Sequence, residues 1–160
     1  MLSVLQRVSE ASVSVAGQVV GEIGHGLLVL VCAEHGDTTA QADALLAKIL
    51  KLRIFADENG RMNRSVRDVE GGLLIVSQFT LAADARKGNR PSFTGAAAPE
   101  HGRALYDYFL ARAGNLHPIV AGGEFAACMR VSLVNDGPVT IPLNVAPGAG
   151  PLQVQAAAST

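Results

Sequence analysis

The sequence predicts one α/β domain, a curled mixed sheet or open barrel of about seven strands with two helices packed on it. Three observations lead there. Short apolar runs of strand length recur along the chain, each bounded by glycine or polar turns. Two longer segments instead repeat apolar residues at helical spacing and carry helix-start signals. The 160 residues are 49% hydrophobic, enough for a packed core, and no internal linker is long enough to divide them. There is no Trp, so Val, Leu, Ile and Ala must fill that core.

Residues 2–15 alternate apolar and polar through Leu2, Val4, Val8, Val13 and Val15, predicting a strand or bent strand pair with one face buried. Arg7 sits inside it and needs a partner. Ala16-Gly17-Gln18 is a hairpin turn into Val19–Ile23, and Gly24-His25-Gly26 turns again into Leu27–Cys32, apolar on both faces and hence central. Thr38 to Leu52 reads as a helix: Thr38 and Gln41 make a capping box, and Ala42, Leu45, Leu46, Ile49 and Leu52 an apolar stripe. Ile54-Phe55 begins a short strand, Asp57–Gly60 is a turn, and Met62–Val69 is polar. Gly71-Gly72 then leads into the short strand Leu73–Val76. A second helix is expected over Pro99–Ala113, with Leu105, Phe109 and Ala113 buried and Gly114 just past its end. Tyr106 and Tyr108 read as helix packing. His117–Gly123 is a short strand with a Gly-Gly turn. Met129–Thr140 begins as a strand with Val131, Leu133 and Cys128 alternating with polar neighbours, turns at Asn135–Pro138, and Pro142–Val145 pairs as an edge. The domain is 1–145. Residues 146–160 are uncharged, low in complexity, and expected to be a mobile tail.

A net charge of −1 gives no global pull toward nucleic acid. The distribution is more specific. Between Lys48 and Arg90 nine Lys/Arg face five Asp/Glu, a local +4, which suits a partner touched locally at its phosphates and not a long DNA duplex. Cys32 and Cys128 form no CxxC pair and read as buried free thiols. The four His residues show neither an HxxxH spacing nor a Cys/His cluster, so no metal and no other cofactor is expected. No apolar run approaches ~18 residues, so no membrane partner is expected either, and a soluble cytoplasmic protein is the default.

The stretch richest in chemistry is Ser77 to Thr94, SQFTLAADARKGNRPSFT. It leaves a buried strand and turns polar, with Ser77, Phe79 and Leu81 on one face of an extended chain and Gln78 and Thr80 on the other. Hydroxyls and an amide at the mouth of a buried strand are well placed to bind a ligand. The following loop sets Arg86, Lys87 and Arg90 among Gly88, Asn89 and Pro91, cations on a loop whose backbone can approach a phosphate. A second stretch, Met129 to Thr140, ends in Asn135-Asp136-Gly137-Pro138.

In this order and spacing SQFTL, the KGNRPSF loop and NDGPVT, with the opening LQRVSEASVSV, resemble the D-aminoacyl-tRNA deacylase family over Met1 to about Val145. The resemblance implies hydrolysis of the ester between a D-amino acid and the 3′-terminal adenosine of tRNA, a partner met at its aminoacylated 3′ end. It also implies a homodimer with both sites at the subunit interface. Catalysis would centre on Ser77, Gln78, Phe79 and Thr80. Gly137 and Pro138, joined by a cis bond and held by Arg7, would enter the partner subunit's site and exclude an L side chain. Phe125 and Met129 would line the pocket for the terminal adenine. One departure stands out: the segment before Met129 reads FAACM where the family usually has FGADM, so Ala126 and Cys128 replace a flexible and a charged position.

The residues allow two mechanisms. An aminoacyl ester beside a ribose hydroxyl is already labile, so fixing it, admitting water and stabilising the oxyanion with the backbone N–H groups of Phe79 and Thr80 can suffice. The rival is a Thr80 or Ser77 nucleophile, which needs an adjacent base. Two readings from other classes stay open, a non-catalytic tRNA-end-binding module and a small Thr-dependent esterase. Rejecting L-aminoacyl-tRNA by ~10⁴-fold takes about 5.5 kcal/mol, more than a soft apolar pocket supplies, at ~1–3 kcal/mol per methylene. A rigid backbone wall can do better, and it would leave glycyl-tRNA as a substrate.

Overall fold

The structure, a computed structural model, describes residues 1–147, so nearly all of the segment read as a tail lies outside the described residues. The elements in order are β1 (Leu2–Val15), β2 (Gln18–Ile23), β3 (Gly26–Cys32), α1 (Thr39–Lys51), β4 (Phe55–Ala56), β5 (Met62–Arg64), β6 (Gly72–Ser77), α2 (Pro99–Leu116), β7 (Val120–Gly122) and β8 (Met129–Asn144). A 3-10 turn, Phe79–Ala82, lies between β6 and α2.

Strand β1 organises the sheet. Along one edge it pairs antiparallel with β8; along the other its first half pairs with β3 and its second half with β2. The order β2-β1-β3-β6-β7 then continues through two parallel pairs, β3 with β6 and β6 with β7. Parallel neighbours need long crossovers, and α1 lies within the first and α2 within the second. The sheet curls until β2 approaches β7: a Cβ added at Gly21 would lie 2.6 Å from the carbonyl oxygen of Gly122. The lack of a side chain at Gly21 lets the ends of the sheet come this close, while Gly122 leaves room for Leu110 of α2. The mixed, nearly closed sheet with two helices is the predicted fold class. Among the described residues the strand count is eight, with β4 and β5 in a separate small hairpin.

The core has two parts. Between sheet and helices, Leu45 and Ile49 of α1 and Phe109 and Ala113 of α2 pack with Leu27, Val29, Leu73 and Ile75, all fully buried. A second cluster holds Val8, Val13, Leu28, Leu74 and Val76. Each such Val, Leu, Ile or Phe side chain contributes roughly 1.5–3 kcal/mol by leaving water. Strands β3 and β6 feed both clusters, which is why their sequences are apolar on both faces. The Thr38/Gln41 capping box is present, with Ala40 N–H donating to Thr38 Oγ1 and Thr38 N–H to Gln41 Oε1.

Four local expectations are corrected. After Ser77 the chain does not stay extended. Gln78 N–H makes a last bond to Val31 O (2.8 Å), then Leu81 N–H turns back to Gln78 O (3.1 Å) and starts the 3-10 turn. The second helix does not stop at Gly114. It runs through to Leu116, and His117 caps it through its N–H to Ala113 O (2.9 Å). Asn135–Pro138 does not separate two strands: β8 runs through it, because β1 continues as a template on both sides. Cys128 is exposed, not buried. The inward positions of β8 are Met129, Val131 and Leu133, so an even-numbered residue beside them falls on the outer face.

Candidate active site

Strand β6 ends at Ser77, which with the following Gln78 lines an apolar cleft of about 880 Å³. Phe79, Phe125 and Met129 line the same cleft, so five of the predicted site residues converge there. Thr80 is the next residue along. Its Oγ1 accepts a hydrogen bond from Gln78 Nε2, which ties the two polar side chains together. Phe125 is fixed from behind: the Arg103 guanidinium lies 4.9 Å from its ring centre, and the Tyr106 ring 6.0 Å away. The buried Tyr106 hydroxyl reaches Ile75 O and Gly123 O, both at 2.9 Å, tying β6 to the residue after β7 at the wall of the cleft.

The 3-10 turn changes what this strand end can do. Phe79 and Thr80 are its first two residues, and the first N–H groups of any helix have no acceptor within it. No side chain caps the turn, and no backbone acceptor among the described residues takes up these two donors. Two adjacent N–H groups are therefore available together, the arrangement that stabilises a developing oxyanion.

Cys32 and Tyr106, both in the cleft wall, do not offer a nucleophile. Burial, reinforced by Glu34, pushes the Cys32 thiol up to about 11, and its Sγ–H points to Ala33 O and Phe79 O. Burial likewise pushes Tyr106 to about 12. Both are neutral near pH 7. Among the described residues, no group of three or more His, Cys, Asp or Glu side chains is placed to hold a metal ion, and no helix is long and apolar enough to cross a membrane.

Other predicted residues lie elsewhere. Asn135 of β8 pairs with Val8 of β1, and Thr140 with Gln6, so Asp136–Val139 bulge out opposite Arg7 alone. Arg7 holds the bulge: Nε donates to Asp136 O (3.0 Å) and lies 3.4 Å from the Asp136 carboxylate, while Nη1 donates to Ile54 O (2.7 Å). Asn135 Oδ1 closes it from within by accepting from Val139 N–H (3.1 Å). The Gly137-Pro138 bond is cis, and both residues are exposed. Arg7, Gly137 and Pro138 do not line the cleft of their own chain.

Arg86, Lys87 and Arg90 are exposed on a loop pinned at its base by paired backbone bonds between Asp84 and Ser92 (2.7 and 2.9 Å). Arg86 is bound by both Asp84 carboxylate oxygens, at 2.9 and 2.6 Å, which holds that carboxyl below its usual range. The sequence reading did not single out His35, Phe93 or Ala96–Ala98, all of which line the cleft. Phe93 ends the quoted KGNRPSF loop. His35 and the alanines gave no local signal, because the cleft is assembled from segments far apart in the chain.

A family model described as D-Tyr-tRNA(Tyr) deacylase matches residues 4–144. The chain is 70% identical over 154 residues to a D-aminoacyl-tRNA deacylase of Polaromonas naphthalenivorans (strain CJ2), covering 93% of this chain and 100% of the relative. It is 65% identical over 152 residues to a protein of the same name from Aromatoleum aromaticum (strain DSM 19018 / LMG 30748 / EbN1), covering 95% and 100%. Among solved structures, the c-Myc DNA Unwinding Element Binding Protein superposes with a TM-score of 0.87 at 40% identity, over 91% of this chain and 99% of that one. A probable eukaryotic D-amino acid tRNA deacylase shares the fold, with a TM-score of 0.78 at 18% identity over 90% and 98%.

Proposed function

The chain belongs to the D-aminoacyl-tRNA deacylase family, and from that premise we infer that it hydrolyses the ester between a D-amino acid and the 3′-terminal adenosine of tRNA at the cleft above Ser77–Thr80. The observation that carries this is the pair of N–H groups on Phe79 and Thr80 without backbone acceptors among the described residues, set beside an apolar cleft large enough for an aminoacyl nucleoside. Adenine lies against Phe125 and Met129. Ser77 and Gln78 orient the ribose. The ester carbonyl oxygen receives the two N–H bonds, which strengthen as it becomes an oxyanion. Water adds to the carbonyl carbon, the ester C–O bond breaks, and the ribose oxygen leaves with a proton. The neighbouring 2′-hydroxyl of the substrate assists that proton transfer. Thr80 serves as a donor here and not as the nucleophile. Its Oγ1 is bonded to the Gln78 amide, which cannot take up a proton as a general base would.

Selectivity falls to Gly137 and Pro138. Because they lie outside their own cleft, they act on a second copy, and the enzyme works as a homodimer. The Arg7 anchor keeps the bulge where an L side chain would project, and the Gly137 carbonyl meets the substrate amino group. A glycyl ester has no side chain to exclude and is cleaved too. Lys87 and Arg90, with Arg86 paired to Asp84, meet the phosphates of the approaching RNA. A substrate drawn from translation places the enzyme in the cytoplasm.

The test is release of amino acid from D-Tyr-, Gly- and L-Tyr-tRNA by one enzyme preparation. The first two should be hydrolysed and the third spared by ~10⁴-fold. Glycyl-tRNA that resists enzyme levels clearing D-Tyr-tRNA many times over would show that the D side chain is recognised positively, and the wall would be the wrong account.

A further inference from the structure

Phe79 is 61% exposed, an unusual state for so large an apolar side chain beside a binding cleft. It is not alone. Phe93 meets it edge to face, ring centres 5.2 Å apart and planes at 72°. Both rings line the cleft. Phe93 directly follows Ser92, which the paired bonds to Asp84 hold in place, so the pair is preorganised by the base of the basic loop. The loop's exposed cations other than the Asp84-bound Arg86 are Lys87 and Arg90.

We propose that the Phe79–Phe93 pair is a stacking site for the base of the penultimate nucleotide of a single-stranded RNA end, whose phosphates then pass over Lys87 and Arg90. This rests on the reading of the cleft as the site of the terminal aminoacyl-adenosine. Size gives the first argument. A cleft of about 880 Å³, within the roughly 300–1,000 Å³ span of ligand pockets, takes an aminoacyl nucleoside against Phe125 and Met129 and leaves the stretch lined by Phe79 and Phe93 for the nucleotide before it. Chemistry gives the second. Exposed aromatic rings next to cations are how proteins hold unpaired nucleotides, since every base offers a π face and every step a phosphate. An apolar protein segment would gain from the rings but nothing from Lys87 and Arg90.

The experiment measures binding of three probes without an esterified amino acid to the intact protein: adenosine, CpCpA, and CpCpA with its middle base removed. CpCpA should bind more tightly than adenosine, and losing the middle base should weaken it about tenfold, since the phosphates remain. Phe93→Leu, which keeps bulk but lacks a π face, should narrow the gap between CpCpA and its abasic form. Phe93→Tyr should retain it. An abasic probe that binds the wild-type protein as tightly as CpCpA overturns the proposal without reliance on any variant. So does a Phe93→Leu protein that falls from dimer to monomer in sedimentation, because the rings would then belong to a subunit contact. Hydrolysis of D-Tyr-tRNA is followed in parallel. Absence of turnover with the tenfold base effect intact would count against the deacylase reading alone.

Discussion

Ala126 occupies the third position of the turn Glu124–Ala127, closed by Ala127 N–H to Glu124 O at 3.2 Å, with φ at +64°. That is the position of a type II turn that favours glycine, because a Cβ there crowds the following carbonyl. The FAACM departure noted in the sequence is therefore a local strain and not merely a loss of flexibility. Relief of a ~1–2 kcal/mol left-handed cost, offset by the greater unfolded freedom of glycine, leaves roughly 0.5–1 kcal/mol. Ala126→Gly should raise the melting temperature by about 1–4 °C in a thermal scan. No change would mean the turn relaxes around the alanine. The second departure, Cys128, puts an exposed thiol on the outer face while Cys32 stays buried. At about pH 8 one thiol per chain should react quickly with an alkylating agent, and peptide mapping should find it at Cys128. The folded pKa of Cys32 lies above its ordinary value of 9.0, so folding favours the neutral thiol. That advantage is complete below about 9 and is lost as pH rises through about 11. Fast labelling of Cys32 near neutrality would contradict the burial.

At the scale of elements, the proposed oxyanion site rests on the 3-10 turn, which leaves the Phe79 and Thr80 N–H groups without backbone acceptors. Phe79→Pro suits the φ of a first helical position but removes one of the two donors. Loss of such a donor typically lowers kcat by about 10²–10³-fold, and that drop is expected with the fold intact by circular dichroism. Thr80→Ala keeps its N–H and should cost far less; an acyl-enzyme trapped on Thr80 would refute the donor role. The turn also shows where sequence patterns stop being informative. The residues of SQFTL were legible, yet their alternation was read as continued strand, because nothing local reveals that the ladder ends at Gln78. NDGP has the composition of a turn, and only the long partner strand β1 shows it to be a bulge inside β8. Gly114 carries a stop signal, yet α2 runs on to Leu116, whose carbonyl accepts from Arg67 Nη2, and the buried His117 anchors the end at Gly71 O. Helix α1, β3 and β6 were legible to within about a residue at their ends, since cap, period and two-sided burial agree there. The cleft wall around His35 and Ala96–Ala98 was not, because its residues come together only once the sheet has curled.

For the whole molecule, the separation of Arg7, Gly137 and Pro138 from their own cleft makes a claim that can be tested by mixing subunits. Gly137 has φ at +128°, and a Cβ there would lie 2.7 Å from Arg7 Nη2 and 2.9 Å from Val139 Cγ2. Gly137→Ala must therefore displace the bulge or its arginine anchor, at a backbone cost of about 1–3 kcal/mol, while leaving the cleft intact. Phe79→Pro does the reverse: it disables the cleft and leaves the bulge alone. Each homodimer should be nearly inactive on D-Tyr-tRNA. A mixed dimer holds one cleft from the Gly137→Ala chain, and the bulge that enters it comes from the Phe79→Pro chain. Both are wild type, so that site should work. Its other site carries both defects. Random reassortment of two equal populations makes half of the dimers mixed, each with one working site of two, so activity should recover to about a quarter of the wild type under two-fold symmetry. If Gly137 and Pro138 act within their own chain, every site retains one defect and mixing restores nothing. A preparation that sediments as a fully active monomer would remove the premise altogether. Recovery near a quarter, appearing only after subunits have been allowed to exchange, is the outcome expected of a site completed by a second copy.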